Sequence, residues 1–538
     1  MKIIYKNIDL KISINEIILD YDINKDLNLK NIRSSFNSAI EKLSIENNSF
    51  DYWSSKISER NTLVNDLFLD VCRISLINSL INKEDRLVIY TNNFFVYQFF
   101  KNRTRSTFIN KLKFRLNYLF QIIKSYLKLL KLTYKILYLK LRYTNKKFIK
   151  KITDIIIIQT WVSDTNFKGN SFSDSYFKDL SKFYKSIGMS SIIWPVFYNV
   201  KDYKKVFKFL RDNKNDFMIM EDYLTLGDYK IILKNFFNKK NLRLNKISIN
   251  GLDFSNTFNY YNKIEPPEFT TIFYNFINRL NKIDSKNLTF IINHENMVGE
   301  KMLIMGTKKF IKKSKVIGYF HSSKPKNLLC LDYAGKKEFK IAPKPDKIIF
   351  NSNSYKIFFE SKYSKLICKN GPALKQLYLN KLPNKKNISE DILVLFSGNY
   401  RDIYIMFKLL NNIKSKYSMI FRMHPMLLFD VKKYYTFNNY IVNNKSNLVD
   451  LITMSRKVIS TYSATAIEAS LIGKSVGLIY DKTRIRLNPY DDLGLNNYNL
   501  ISDSLELQHF INDKTNLTKT RSVFNLDKNL INEFKNLN

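Results

Sequence analysis

An α/β fold of two doubly wound domains in tandem is what this sequence predicts, and three observations carry the prediction. From Asp154 onward, short apolar runs alternate with helical periodicity, the mark of βαβ units and a parallel sheet. The alternation breaks at the polar stretch 381–390 and then resumes. At 538 residues the chain exceeds what one hydrophobic core usually organises.

The elements follow in order. In the first domain, 1–380, DIIIIQTWV is a buried strand and SDSYFKDLSKFYKSIG an amphipathic helix closed by Gly188. SSIIWPVFY is the next strand, 202–212 a helix, and DFMIMED is strand-like. NLTFIIN, KVIGYF, DKIIFNS and SKLICKN are further short strands, each followed by helix or turn chemistry. Residues 1–85 show no decisive pattern, and DRLVIYT is a short buried strand. The linker 381–390 contains a proline and lacks apolar periodicity. In the second domain, 391–538, DILVLFS, YSMIFRM, RKVIS and SVGLIYD are strands, with helices near 402–415 and 464–472.

The formal net charge of +41 points to an anionic partner: nucleic acid, a phosphorylated substrate or acidic lipid. An apolar fraction of 45% excludes a disordered chain. Cys72, Cys330 and Cys368 have no metal-like spacing, so a reducing compartment, no disulfide framework and no bound metal are expected. Asp9 and Glu16 stand where a secretory signal would be apolar, and no eighteen-residue apolar run exists. The expected location is cytoplasmic.

The strongest motif is KVISTYSATAIEASLIGKSVGLIY. Lys457–Ser460 ends a strand, Ser463 has the chemistry of an N-cap, and Gly473 closes the helix that follows. This turn falls at the carboxyl edge of a parallel sheet, where ligands bind. Helix amides with the hydroxyls of Ser460, Thr461, Ser463 and Thr465 suit a nucleotide phosphate. Glu468 lies on the same helical face as Thr465, among apolar neighbours. A buried carboxylate needs a partner, either a ribose hydroxyl pair or, as a structural residue, the backbone or a lysine. In SMIFRMHP, Arg422 and His424 share one strand face, and Pro425 fixes the strand end.

His-Pro after a strand, then ST-x-S-x-x-x-x-EA leading into GK-x-V, resembles bacterial capsule and lipopolysaccharide glycosyltransferases of the two-Rossmann-domain (GT-B) kind. Sialyl-, polysialyl- and Kdo-transferases, which use CMP-activated sugars, carry similar elements. The CDP-glycerol polymerases of teichoic acid synthesis have a related His and hydroxyl turn. The resemblance implies donor-phosphate contact by His424, Ser460, Thr461 and Ser463. Upstream, NLTFIINHENMVGEKMLIMG, GYFHSS, PKPD and GPAL follow an order similar to that of surface-carbohydrate biosynthesis proteins. A sugar hydroxyl needs a base, and Glu295, Glu300 and His321 stand at strand ends. Glu300 on a solvated helix face or paired with Lys301, and His321 bonded to Asp346 or backbone, are the structural readings beside this one.

Residues 101–151 hold sixteen Lys or Arg and no acid. Lys124, Lys128, Lys131 and Lys135 lie on a polar stripe with Asn117, Gln121 and Arg142, beside a broad apolar face. That is the pattern of a helix lying in a membrane interface, here as a basic amphipathic insertion in the first domain. The alternative is a helix packed on the protein with its stripe in solvent. The expected function is therefore an inverting glycosyltransferase of surface polysaccharide synthesis on the inner face of the cytoplasmic membrane. It would need a nucleotide-sugar donor as co-substrate, for which the resemblance to sialyl- and Kdo-transferases implies CMP activation, a glycan or lipid-linked acceptor, and no further cofactor. Phosphoglycerol transfer from CDP-glycerol and a non-catalytic scaffold are the alternatives. Nucleic-acid binding leaves the motifs of the second domain without a purpose.

Overall fold

The computed structural model describes residues 11–14, 17–19, 21–83, 88–91, 93–101, 108–381, 389, 391–424, 427–437, 439–493, 495, 497–513 and 523–535. Six strands form a first parallel sheet: β1 (Ile156–Ser163), β2 (Ser191–Asn199), β3 (Thr289–Asn293), β4 (Lys315–Phe320), β5 (Lys347–Phe350) and β6 (Ile367–Asn370). Their spatial order is β6-β5-β4-β3-β1-β2. Six more form a second parallel sheet: β7 (Ile392–Leu395), β8 (Met419–Arg422), β9 (Tyr440–Val442), β10 (Lys457–Ser460), β11 (Ser475–Ile479) and β12 (Tyr498–Ile501). Their order is β9-β8-β7-β10-β11-β12. The predicted tandem of doubly wound α/β domains is the observed architecture.

Continuous apolar runs become central strands because helices cover both faces of a parallel sheet. Val458 and Ile459 of β10 and Ile291 of β3 are fully buried. Burying one such side chain contributes ~1.5–3 kcal/mol. Strand order reverses between β7 and β10 in the second sheet and between β1 and β3 in the first. A ligand crevice is expected outside the carboxyl ends of those strands.

Five helices are needed below, labelled α1 (Leu29–Glu46), α2 (Phe108–Tyr143), α3 (Val298–Phe310), α4 (Tyr400–Leu410) and α5 (Ala464–Leu471). The patternless region before residue 85 is largely helical, with α1 and Leu67–Ile81 as its long members. DRLVIYT supplies Val88–Tyr90 to a separate antiparallel sheet with Lys11–Ile14 and Ile17–Leu19.

Two local expectations are corrected. DFMIMED makes only a bridge, Phe217 to Ile193, and then turns into the helix Met220–Tyr223. The cause is Asp222, whose carboxylate is buried and held by Arg211 and by the Asn145 amide at 2.8 Å, a pairing an extended strand would not allow. The helix closed by Gly188 spans only Leu180–Ser186. Asp174 upstream accepts amides of Tyr176 (2.7 Å) and Phe177 (2.9 Å), which holds that stretch as a turn.

Domain boundaries are crossed at both ends. Residues 382–388 and 390 of the linker lie outside the described residues. After the second sheet the chain returns to the first: Asn525 donates to Asn351 O, and Phe534 packs with Ile156 and Tyr319. Near the start, Ile23 donates to Lys482 O, and Asp22 accepts the Tyr480 hydroxyl at 2.8 Å. The chain's two ends thus stitch the halves together.

The helix α2 carries the basic segment, although residues 102–107 before it lie outside the described residues. Its Phe114, Leu129, Ile136 and Leu139 are buried against the protein. At 100° per residue these lie opposite a second apolar face: Leu116, Ile123, Leu127, Leu130, Tyr134 and Leu141. That face is exposed, with Leu141 at 79% and Tyr134 at 72%. Lys124, Lys128 and Lys131 are exposed between the two faces, while Lys135 is half-buried over the Tyr203 ring. The sequence foresaw one apolar face, and the helix has two.

Candidate active site

A cavity of about 350 Å³ opens between the domains. Its second-domain wall comes from the two loops at the strand reversal and from the loop after β11. Asn399 follows β7, and Thr461, Tyr462, Ser463 and Ala464 follow β10. Its first-domain wall carries Glu295 and Met297 after β3 and Ser322 and Ser323 after β4. Asn61, Thr62 and Asn65, from the helical region before the first sheet, line it as well.

On the second-domain side, Ser463 caps α5: its Oγ accepts the Ala466 amide at 3.1 Å. The first amides of a helix have no intrahelical acceptor, so those of Ala464 and Thr465 point outward. Thr461 is buried, and its hydroxyl has no hydrogen-bond partner among the described residues. A buried hydroxyl without a partner costs about 1–3 kcal/mol. Here it belongs to the cavity wall, beside the positive end of a helix. Ser460 is set deeper, with its Oγ 3.4 Å from Leu395 O and 3.3 Å from Ser463 Oγ. Neither Ser460 nor Thr465 lines the cavity.

Three donor-side expectations are corrected. Arg422 donates to the carbonyls of Asn443 (3.0 Å) and Ser446 (3.1 Å), so it braces the loop after β9 instead of facing the cavity. Glu468 is not poised for ribose: Gln376 donates to its Oε1 at 3.0 Å and the Tyr378 hydroxyl to its Oε2. The structural reading had backbone or a lysine as its partner, and the structure supplies two side chains from the other domain instead. His424 is half-buried against Gly398, where an added Cβ would stand 3.1 Å from Nδ1. Its ring lies against the loop that carries Asn399 and does not itself line the cavity. Pro425 lies outside the described residues.

On the first-domain side, the two carboxylates separate into distinct roles. Glu300 folds back: Oε2 accepts the amides of Glu295 (3.0 Å) and Asn296 (2.6 Å), and Oε1 meets His294 Nδ1. The expectation that Glu300 is a base is thus corrected. Its lone pairs hold the loop in which Asn296 takes a left-handed φ of 55°. Gly318 leaves room for His294, since a Cβ there would lie 2.9 Å from the His294 Cβ. Glu295 is the carboxylate that reaches the cavity.

His321 Nε2 lies 3.4 Å from Glu295 Oε1 and does not line the cavity, so it stands beside the base position and does not occupy it. Burial, with Lys375 nearby, holds its imidazole well below the ordinary 6.5, so it is neutral. Burial pushes the Glu295 carboxyl above the ordinary 4.5, against the pull of Lys375.

Lys375 itself was missed. It sits in the GPALK turn after β6, its ammonium 4.1 Å from the Tyr176 ring centroid. Burial lowers it from the ordinary lysine range, while Glu295 and Glu468 pull it back. Arg484 and Arg486, in the loop after β11, were missed as well. Arg484 donates to Asp66 at 2.8 Å, and Arg486 lies over the Tyr480 ring at 5.3 Å. The signal was available, because KTRIR follows a buried strand directly.

Fold and cavity define the class: a two-domain α/β protein with a cavity at the carboxyl edges of both parallel sheets. No family model matches the chain, and no curated protein matches it. Among solved structures, UDP-GlcNAc 2-epimerase from Neisseria meningitidis is similar over 71% of this chain and 99% of its own, at 11% identity and TM-score 0.38. MurG of Acinetobacter baumannii is similar over 66% and 89%, at 8% identity and TM-score 0.36. The wall teichoic acid polymerase TagF is similar over 80% and 92%, at 12% identity and TM-score 0.31. At these scores the likeness carries no weight for the site, whose reading rests on its own geometry.

Proposed function

We propose that this chain is a glycosyltransferase of the GT-B kind that moves a sugar from a nucleotide-activated donor onto a growing surface polysaccharide. One observation carries the reading. The cavity joins a phosphate-type cradle on one domain to one carboxylate, that of Glu295, on the other. The cradle is the Thr461 hydroxyl with the amide of Ala464, on a wall that also carries Arg484, Arg486, Asp402 and Asp481. In the reaction, Glu295 takes the proton of the acceptor hydroxyl as its oxygen bonds to the anomeric carbon. The bond from that carbon to the phosphate oxygen breaks, with inversion. The cradle stabilises charge on the departing nucleotide. His321 positions Glu295, and Lys375 favours its ionised form.

A panel of CMP-sugars, UDP-sugars and CDP-glycerol, read by thermal shift on the full chain, tests the reading. One sugar nucleotide should raise the melting temperature. A rise with CDP-glycerol alone would mean phosphoglycerol transfer, and no rise with any would mean a scaffold.

The apolar outer face of α2 supports a place at the membrane surface. No helix of the structure, among the described residues, is long and apolar enough to cross a membrane. A helix with one face on the protein, one exposed and apolar, and lysines between them suits an anionic bilayer interface. The working location is the inner face of the cytoplasmic membrane, where lipid-linked acceptors would be met.

A further inference from the structure

The helix α5 faces two ways. Its amino end, at Ala464, borders the cavity, and one turn along the same face stands Glu468. That carboxylate is 8% exposed and reaches the first domain. Gln376 Nε2 donates to its Oε1 at 3.0 Å, and the Tyr378 hydroxyl donates to its Oε2. Gln376 is itself buried, and its Oε1 has no partner among the described residues, so the bond to Glu468 is what holds this side chain. Lys375 directly precedes it. From Lys375 the contacts run on to the base. Its ammonium lies 4.1 Å from the Tyr176 ring centroid, and the Tyr176 ring meets the His321 ring edge-on at 5.0 Å. His321 Nε2 then lies 3.4 Å from Glu295 Oε1. Of all these side chains only Glu295 lines the cavity.

We propose that Glu468 is a positioning residue for the transfer reaction: through Gln376 and Tyr378 it holds the turn that carries Lys375, and it supplies a countercharge for that ammonium. The inference rests on the transferase reading and adds a residue of the donor domain to the machinery around Glu295. Holding the turn alone would not need a charge. A buried carboxylate is costly, and a neutral amide oxygen accepts hydrogen bonds as well. What the carboxylate adds is its field. Glu295, Glu468 and Asp174 favour the Lys375 ammonium, and Lys178 opposes it. Lys375 and His294 favour the Glu295 carboxylate, and Glu300 and Glu59 oppose it. Glu468 stands in the first set and not in the second, so it reaches Glu295 through Lys375.

The test follows Lys375 and turnover side by side on the full chain. Acylation of Lys375 by acetic anhydride across pH, read by peptide mass spectrometry, titrates the amine with no substrate present. In Glu468→Gln that titration should move down by about one pH unit. The alkaline limb of turnover should move down with it, while the acid limb and donor affinity stay in place. Tyr378→Phe keeps the charge and removes one hydrogen bond. Its turnover should fall roughly threefold, with both limbs unmoved. A lower melting temperature in Glu468→Gln, with Lys375 titrating as in the wild type, would mean a structural clamp only and would overturn the proposal. Weaker donor binding with an unmoved alkaline limb would return Glu468 to the donor and overturn it too. If Glu468→Gln does not fold, Tyr378→Phe decides, and wild-type turnover in that variant would overturn the positioning role. If Lys375 shifts as expected while no nucleotide sugar is turned over, the transferase reading fails and the link from Glu468 to Lys375 survives.

Discussion

Replacing Glu295 with Gln separates chemistry from folding more cleanly than any other change at the site. The side chain keeps its shape and loses its basicity. A general base in this position contributes roughly 10²–10⁴-fold, or about 3–5 kcal/mol of barrier. Turnover should fall by that factor while donor affinity stays normal, because Glu295 stands across the cavity from the cradle. Stability should move the other way. The folded state holds the Glu295 proton more tightly than the unfolded chain does, since burial raises the carboxyl above 4.5. This group's contribution to stability is therefore complete below the unfolded pKa and is lost as pH rises through the folded one. Gln cannot ionise, so the variant should lose this pH dependence and melt no lower than the wild type once pH has risen through the folded pKa. Steady-state turnover, calorimetric donor affinity and melting at acidic and neutral pH measure the three effects. The wild-type rate should rise with pH through the raised Glu295 pKa and fall again below the ordinary lysine range, as Lys375 loses its proton. A variant with near wild-type turnover, or one whose donor affinity falls in step with turnover, would refute the assignment.

The other predictions concern the cradle, the loop brace, a buried lysine and the outer helix. Thr461→Val removes a hydroxyl that has no partner among the described residues, so stability should hold or improve while nucleotide affinity falls about tenfold, near 1.4 kcal/mol. Lower stability with unchanged affinity would reject the cradle. Glu300→Ala strips two amides and His294 of their acceptor and should cost about 2–4 kcal/mol by denaturant titration. A variant as stable as wild type that lost only turnover would return Glu300 to the chemistry. Lys301 is buried and its ammonium lowered to about 8, so its folded-state penalty applies below that pH and lifts as pH rises toward 10.5. Lys301→Met should flatten that part of the stability profile, and an unchanged profile would count against it. Exchanging Lys124, Lys128, Lys131 and Lys135 for Gln removes about 1 kcal/mol of attraction per well-placed lysine and should release the protein from anionic vesicles. Equal sedimentation of mutant and wild type would reject the electrostatic anchor.

The strands were legible because their apolar runs are continuous, as burial on both faces requires; ILVL, MIF, KVIS and SVGLI all form as expected. Two edge strands, β9 and β12, escaped notice, since an edge strand needs less apolar sequence. DFMIMED misled because Asp222 sits within an apolar run, and its pairing with Arg211 depends on tertiary structure. At the site, the hydroxyl turn was legible because an N-cap and a strand end are local features. Choosing between Glu295 and Glu300 was not. The two lie five residues apart, and only the backbone path shows that one folds onto its own loop while the other faces the cavity. Glu468 was misassigned for a similar reason, as its partners Gln376 and Tyr378 come from the far side of the linker. Lys375, Arg484 and Arg486 were lost among the many lysines and arginines of a chain carrying 88 of them, where a local basic cluster hardly stands out.

The central claim is that the interdomain cavity holds a donor phosphate at the amino end of α5 and presents the anomeric carbon to Glu295. Crystals soaked with the nucleotide sugar that gives the largest thermal shift test it directly. The account predicts phosphate oxygens within hydrogen-bond distance, roughly 2.7–3.2 Å, of the Thr461 hydroxyl and the Ala464 amide. It also places the sugar between them and the Glu295 carboxylate. A donor bound elsewhere, or seated here with its anomeric carbon turned away from Glu295, would contradict it.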